Sequence, residues 1–226
     1  MTYTPPKLLT FEKFLAEYGD NPRYELIDGE LRDRSPTGSH EEVSGNIAGR
    51  IYAEILGSNY NWLIPKTCLI KPPAAEATAL RPDVIVLDKI KLNQEPLWQK
   101  EPIICIGNTI KLVAEVVSQC VARVPRVEAT DVACFSAGVP VRVSSNWQDD
   151  YARKVEEYAF LGIIEYWIVD FRGLGGLQFI GNPKQPTFTV CQLVNGVYQQ
   201  QQYRLGDAIN SYLFPNLELK LDDIMP

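Results

Sequence analysis

The chain has 226 residues, 46% hydrophobic and 22% charged, a balance that excludes a disordered or fibrous protein and allows one good core or two small ones. No run approaches the roughly 18 apolar residues of a membrane helix, and Met1-Thr2-Tyr3-Thr4-Pro5-Pro6-Lys7 lacks a signal pattern, so a cytoplasmic protein with no membrane partner is expected. Basic residues number 22 and acidic residues 28, and the net charge of −6 counts against strong non-specific nucleic-acid binding while leaving room for a local basic groove.

Thr10 caps a predicted helix through Tyr18 that stops at Gly19. Two extended runs between Arg23 and Asp33 flank Asp28-Gly29, the strongest two-residue hairpin signal. A helix from Ser39 to about Leu56 is predicted because Val43, Ile47, Ile51 and Ile55 recur every four residues, with Ser39 and Glu42 at capping-box spacing. Short strands are predicted at Trp62 to Ile64 and Thr67 to Ile70, and Pro72 to Leu80 reads as a loop. Proline at 82 then biases Arg81 toward extended backbone, so Asp83 heads the strand Val84-Ile85-Val86-Leu87. Lys89 to Ile110 reads as irregular, with an edge strand at Ile103 to Cys105. A buried strand follows at Leu112 to Val117, and Gln119 to Ser144 shows no period. Ser145 and Gln148 offer a second capping box, Asp149 and Asp150 suit the positive end of a helix dipole, and an apolar stripe of Tyr151, Val155, Tyr158 and Ala159 carries that helix to Gly162. Strands are predicted at Ile163 to Asp170, Gln178 to Ile180, Thr187 to Leu193 and Val197 to Tyr203, the last two joined at Asn195-Gly196. Neither a repeat nor a linker divides the chain, so residues 1–226 read as one domain.

Glu115 lies inside an apolar strand, where an ionised carboxylate without a partner costs several kcal/mol or takes up a proton. Asp83 brings a second acid to a strand end. Paired carboxylates hold a metal, and a lysine can orient water or stabilise phosphate, which together make a phosphodiester-cleaving site. Lys154 flanks the apolar stripe and is the candidate lysine, while Arg153 points elsewhere. Read alone, Lys154 is more simply a solvated residue pairing with Glu156 or Glu157, and Asp83 a residue satisfying turn amides. Five scattered cysteines without a Cys-x-x-Cys pair, and one histidine, His40, leave oxygen donors for any metal, hence magnesium with manganese as the alternative.

Several segments in order carry a resemblance: Arg23-Tyr24-Glu25-Leu26-Ile27-Asp28-Gly29, Ser35-Pro36-Thr37-Gly38-Ser39-His40, Arg81-Pro82-Asp83-Val84, Ala114-Glu115-Val116-Val117, Asp150 to Tyr158 and Gly162 to Asp170. Together they resemble the putative restriction endonuclease family with a PD-(D/E)xK nuclease-type core. The resemblance implies an α/β fold of three layers around a central mixed sheet, a magnesium-dependent nuclease-like site acting on DNA, and a homodimer. Asp83 matches the aspartate of the family's Pro-Asp step and Glu115 the second acid, the two metal ligands; Glu25 matches an acid in the first hairpin, and His40 a histidine at the next helix start. Val117 stands where the standard motif has lysine, and the family supplies that lysine from the following helix, at Lys154. The 26 residues from Gln119 to Ser144 look like an insertion between the second acid and the lysine. Either that segment leaves the site intact, since loop closure grows costlier only slowly with length, or it displaces Lys154 and leaves an inactive binding or assembly module of nuclease fold.

Overall fold

A computed structural model of the chain describes residues 8–123, 134–136, 139–145 and 147–226. In chain order the elements are α1 (Phe11–Tyr18), β1 (Tyr24–Ile27), β2 (Glu30–Asp33), α2 (Gly38–Gly57), β3 (Trp62–Leu63), β4 (Leu69–Ile70), β5 (Val84–Asp88), β6 (Ile103–Ile104), β7 (Ile110–Val116), β8 (Gln119–Arg123), β9 (Cys134–Ser136) and β10 (Val139–Ser145). A π-helical turn, Asp149–Arg153, then runs into α3 (Lys154–Phe160), followed by β11 (Glu165–Asp170), α4 (Leu177–Ile180), β12 (Thr187–Val194) and β13 (Val197–Tyr203). Among the described residues no helix is long and apolar enough to cross a membrane.

A six-stranded mixed sheet, ordered β13-β12-β11-β7-β5-β3, forms the centre. Strands β7 and β11 pair in parallel and every other neighbour in it is antiparallel. Strand alternation sorts its side chains. Val84, Val86, Leu112, Ala114, Val116, Trp167 and Val169 meet the α2 stripe of Val43, Ile47, Ile51 and Ile55 on one face, where Phe214, Leu219, Leu221 and Ile224 of the C-terminal segment also pack. Ile85, Leu87, Val113, Val117, Tyr166 and Ile168 meet Tyr151 and Tyr158 on the other. Glu115 lies between Val113 and Val117, so its side chain belongs to the face that α3 covers.

Both predicted hairpin turns form with the positive φ values that such turns demand: Asp28 and Gly29 at 50° and 80°, Asn195 and Gly196 at 52° and 82°. Thr10 caps α1, its side chain accepting from the Lys13 amide. Three expectations need correction. The cap of α2 is Thr37, whose Oγ1 accepts from the His40 amide, because the helix begins at Gly38, one residue before Ser39. Gln178 to Ile180 belongs to the short helix α4, since an apolar run this brief fits either state. The segment 119–144 is not structureless: β8, β10 and β9 form a small antiparallel sheet in which Gln119 pairs with Ser145. The capping box expected at Ser145 and Gln148 rests on side chains outside the described residues.

Candidate active site

Register decides where the acids meet. Strand β5 pairs with β7 so that Val84 faces Ala114 and Ile85 faces Val113, which sets Asp83 opposite Glu115 at the end of the ladder. Cross-strand neighbours share a face, and two like charges so placed repel. Asp83 is met from three sides: Arg34 Nη2 donates to Oδ1, His40 Nε2 lies 3.2 Å from Oδ2, and the Val116 amide donates to Oδ2 at 2.7 Å. His40 reaches it because it stands one turn before Val43 on the buried stripe of α2. Glu115 is fully buried; Tyr158 donates its hydroxyl proton to Oε1 at 2.7 Å, and Lys154 Nζ lies 3.1 Å from Oε2.

Lys154 is fully buried, not solvated, and pairs with neither Glu156 nor Glu157. Its Nζ stands 3.5 Å from Glu25 Oε1 and 3.1 Å from Asp150 Oδ1, besides Glu115. The π turn makes this possible. The Lys154 amide bonds back to the Asp149 carbonyl, five residues earlier, and this wider turn buries Asp150, Tyr151 and Lys154 together. Asp150 therefore points into the cluster instead of only decorating a helix start, a correction to its expected role. Arg153 faces away, binding Asp28 through Nε and Nη2 at 3.1 and 2.7 Å and Glu157 through Nη1 at 2.5 Å. Its bonds hold the β1–β2 turn against α3, with Arg32 Nε 3.9 Å from Asp149 beside it.

Burial and charge divide the acids. Burial pushes Glu115 up to about 8 although Lys154 opposes it, with Asp83 and Asp150 adding repulsion. Asp150 rises to about 7 for the same reason, burial, again against Lys154. Burial would also raise Asp83, but Arg34, His40 and the Val116 amide hold it well below the usual carboxylate range. Burial alone would lower Lys154, yet Glu115, Glu25 and Asp150 carry it well above its ordinary value, so it stays an ammonium. His40 is raised too, the loss of water working downward and Asp83 upward.

Glu25, Glu115 and Lys154 thus come together, and Asp83 stands beside them with Arg34 between: the same Nη2 that bonds Asp83 lies 3.9 Å from Glu115 Oε2. Sequence reasoning missed Arg34, Asp150 and Tyr158. Asp150, Lys154 and Tyr158 recur every four residues, a signal that could have found two of them; Arg34, in a polar stretch before Ser35-Pro36, carries none. The donor set suits magnesium or manganese, which bind through one or two carboxylates with water and substrate oxygens completing the shell. Glu115 Oε2 and Asp150 Oδ1 each face the Lys154 ammonium at 3.1 Å, so in this arrangement the lysine is the cation beside them. Among the described residues no three His, Cys, Asp or Glu side chains converge closely enough to hold a metal by themselves.

Three comparisons bear on this arrangement. A family profile described as "Uma2: Putative restriction endonuclease" matches residues 11–128 and 139–222, leaving out only 129–138 of the inserted segment between them. No curated protein matches the chain. Among solved structures, a nuclease from Anabaena variabilis, described as putative and as belonging to DUF820, superposes with a TM-score of 0.61 at 14% identity, over 96% of this chain and 97% of that one. At that identity the likeness speaks for the fold: a mixed α/β chain around a six-stranded sheet.

Proposed function

Because the chain belongs to the Uma2 family of putative restriction endonucleases, we propose that it is a metal-dependent endonuclease hydrolysing DNA phosphodiester bonds. Its sheet, with α2 on one face and α3 on the other, is read here as the three-layer core of restriction endonucleases. The observation that carries the proposal is the buried Lys154 ammonium, 3.1 Å from Glu115, with Asp83 across the ladder from that same acid. A charged lysine held among acids in the interior adds little net stability, and clusters of strongly shifted ionisable groups concentrate at functional sites.

Asp83 and Glu115 would hold a divalent cation, magnesium or manganese, which would supply charge neutralisation for the phosphate. Lys154, kept protonated, orients the attacking water or stabilises the phosphate and does not itself accept a proton. Glu115 and Asp150, raised toward neutrality, keep a proton near pH 7 that Glu115 must release before it can hold a cation. Glu25 holds Lys154 from the hairpin side and accepts from the Arg81 amide at 3.2 Å, which fixes the chain just before Asp83. Tyr158 sets the Glu115 rotamer.

The complete burial of Glu115, Asp150 and Lys154 favours a second reading, a catalytically silent module of the same fold acting through binding or assembly. Nicking of supercoiled plasmid separates the two. With magnesium or manganese the wild type should relax the plasmid, Glu115→Gln should abolish relaxation, and Lys154→Ala should slow it by about 10²–10³-fold. Cleavage surviving Glu115→Gln would contradict the site, and no cleavage by the wild type with either metal would favour the silent module.

A further inference from the structure

The end of the central sheet that carries Asp83 and Glu115 also carries cations whose partners are neutral. Ile168 of β11 stands opposite Glu115, Asp170 opposite Thr187 and Phe188 opposite Tyr203, so the chain just beyond β11, just before β12 and just beyond β13 lies along one edge with the two acids. Arg172, Lys184 and Arg204 occupy those three places, the first two exposed and the third half-buried. Arg172 Nη2 donates to Ser39 Oγ at 2.5 Å, and its guanidinium lies 5.1 Å from the centre of the Phe171 ring. Lys184 Nζ donates to the Leu174 carbonyl at 3.3 Å, and Arg204 donates to the Ile180 carbonyl, Gln202 Oε1 and Thr187 Oγ1. Among the described residues none of the three makes an ion pair. Asp170 and Asp207, the carboxylates nearest to them in sequence, are turned to backbone amides: those of Leu174 and Gly175 for Asp170, that of Arg204 for Asp207. On the hairpin side of the site, by contrast, Arg153 is spent on Asp28 and Glu157, and Arg32 on Glu30 and Asp149.

We infer that Arg172, Lys184 and Arg204 form a track for the sugar-phosphate backbone of duplex DNA, running along the sheet edge away from the two carboxylates. The inference rests on the reading of those carboxylates as a DNA-cleaving site. Cations held by hydroxyl, carbonyl and ring keep their charge for a ligand, and clustered on one edge they make a local positive field in a chain whose net charge is −6. From β7 through β11 and β12 to β13 is about 14 Å at the usual strand spacing. One DNA strand carries a phosphate about every 3.4 Å of helix axis, so the row covers about four of them. Arg172 is the member nearest the acids, because the Ser39 that it holds is followed by His40, which meets Asp83. Contacts of this kind position the duplex without reading its sequence.

Anisotropy of a fluorescently labelled DNA duplex, titrated with protein in chelator at several salt concentrations, tests this without metal or cleavage. Arg172→Gln and Lys184→Gln should each weaken binding about tenfold at low salt. Each should also reduce the slope of log affinity against log salt by about 0.9, alike on two unrelated sequences. Arg172→Lys, which keeps the charge without the fork, should retain the wild-type slope at lower affinity. Lys89→Gln removes an exposed cation just past the other end of β5 and should change neither affinity nor slope. If Arg172→Gln folds poorly, Lys184→Gln carries the same prediction from a loop. A wild-type affinity and slope in the folded variants, with wild type binding DNA, overturns the inference and leaves the cleavage site standing. An equal loss in Lys89→Gln also overturns it, by reducing the effect to net charge. No binding of DNA by the wild type at low salt overturns both the inference and the reading of DNA as substrate beneath it.

Discussion

Burial strips a carboxylate of water, and what replaces the water decides its charge. Around Lys154 and Arg34 stand Glu25, Asp83, Glu115 and Asp150, four acids against two permanent cations, so the cluster keeps a proton near neutral pH on Glu115 or Asp150. The two groups have ordinary values of 4.5 and 3.8 and rise to about 8 and 7 in the fold. Between these limits the native chain holds protons that the unfolded chain has released, so their contribution to stability is complete at the acid end and lost as pH rises through 7 and 8. His40, raised as well, acts in the same direction. Asp83, depressed, acts oppositely: its contribution is present above its ordinary 3.8 and lost as pH falls below it. Melting temperature measured in chelator should therefore decline from pH 5 to pH 8.5, and Glu115→Gln should flatten the decline. A wild-type profile that rises over this range would contradict the proton assigned to the cluster.

At the level of elements, the inserted segment was the main threat to the site. Pairing of Gln119 with Ser145 resolves it physically, because a chain that leaves β7 and returns as neighbouring strands comes back where it left. The π turn and α3 then reach Glu115 as though the excursion were absent. Deleting residues 119–144, so that Ser118 joins Ser145, should give a folded protein whose melting temperature stays within a few degrees of wild type and whose Lys154 remains unreactive to amine acylation. Collapse of the fold, or a newly reactive Lys154, would show that the small sheet supports the site.

Across the whole molecule, what could be read from the sequence follows from how local each cause is. The α2 stripe and the Asp28-Gly29 and Asn195-Gly196 turns were legible because periodicity and positive φ act within a few residues. Glu115 was legible because charge in an apolar strand contradicts its surroundings. Asp150 was not, since an acid at a helix start already has a sufficient local reason, and only the wider turn beneath it reveals the inward direction. Arg34 was hidden because its partners lie 49 and 81 positions further along the chain, across the sheet. The segment after Ser118 lacked a period, yet it forms strands that pair with one another and not with the central sheet. The central claim is the proposal that Asp83 and Glu115 together hold a divalent cation. A crystal soaked in Mn²⁺ and measured at the manganese absorption edge tests it most directly. The account predicts one anomalous peak bonded to both carboxylates; a soaked crystal with no peak there, or with a peak only elsewhere, would contradict it.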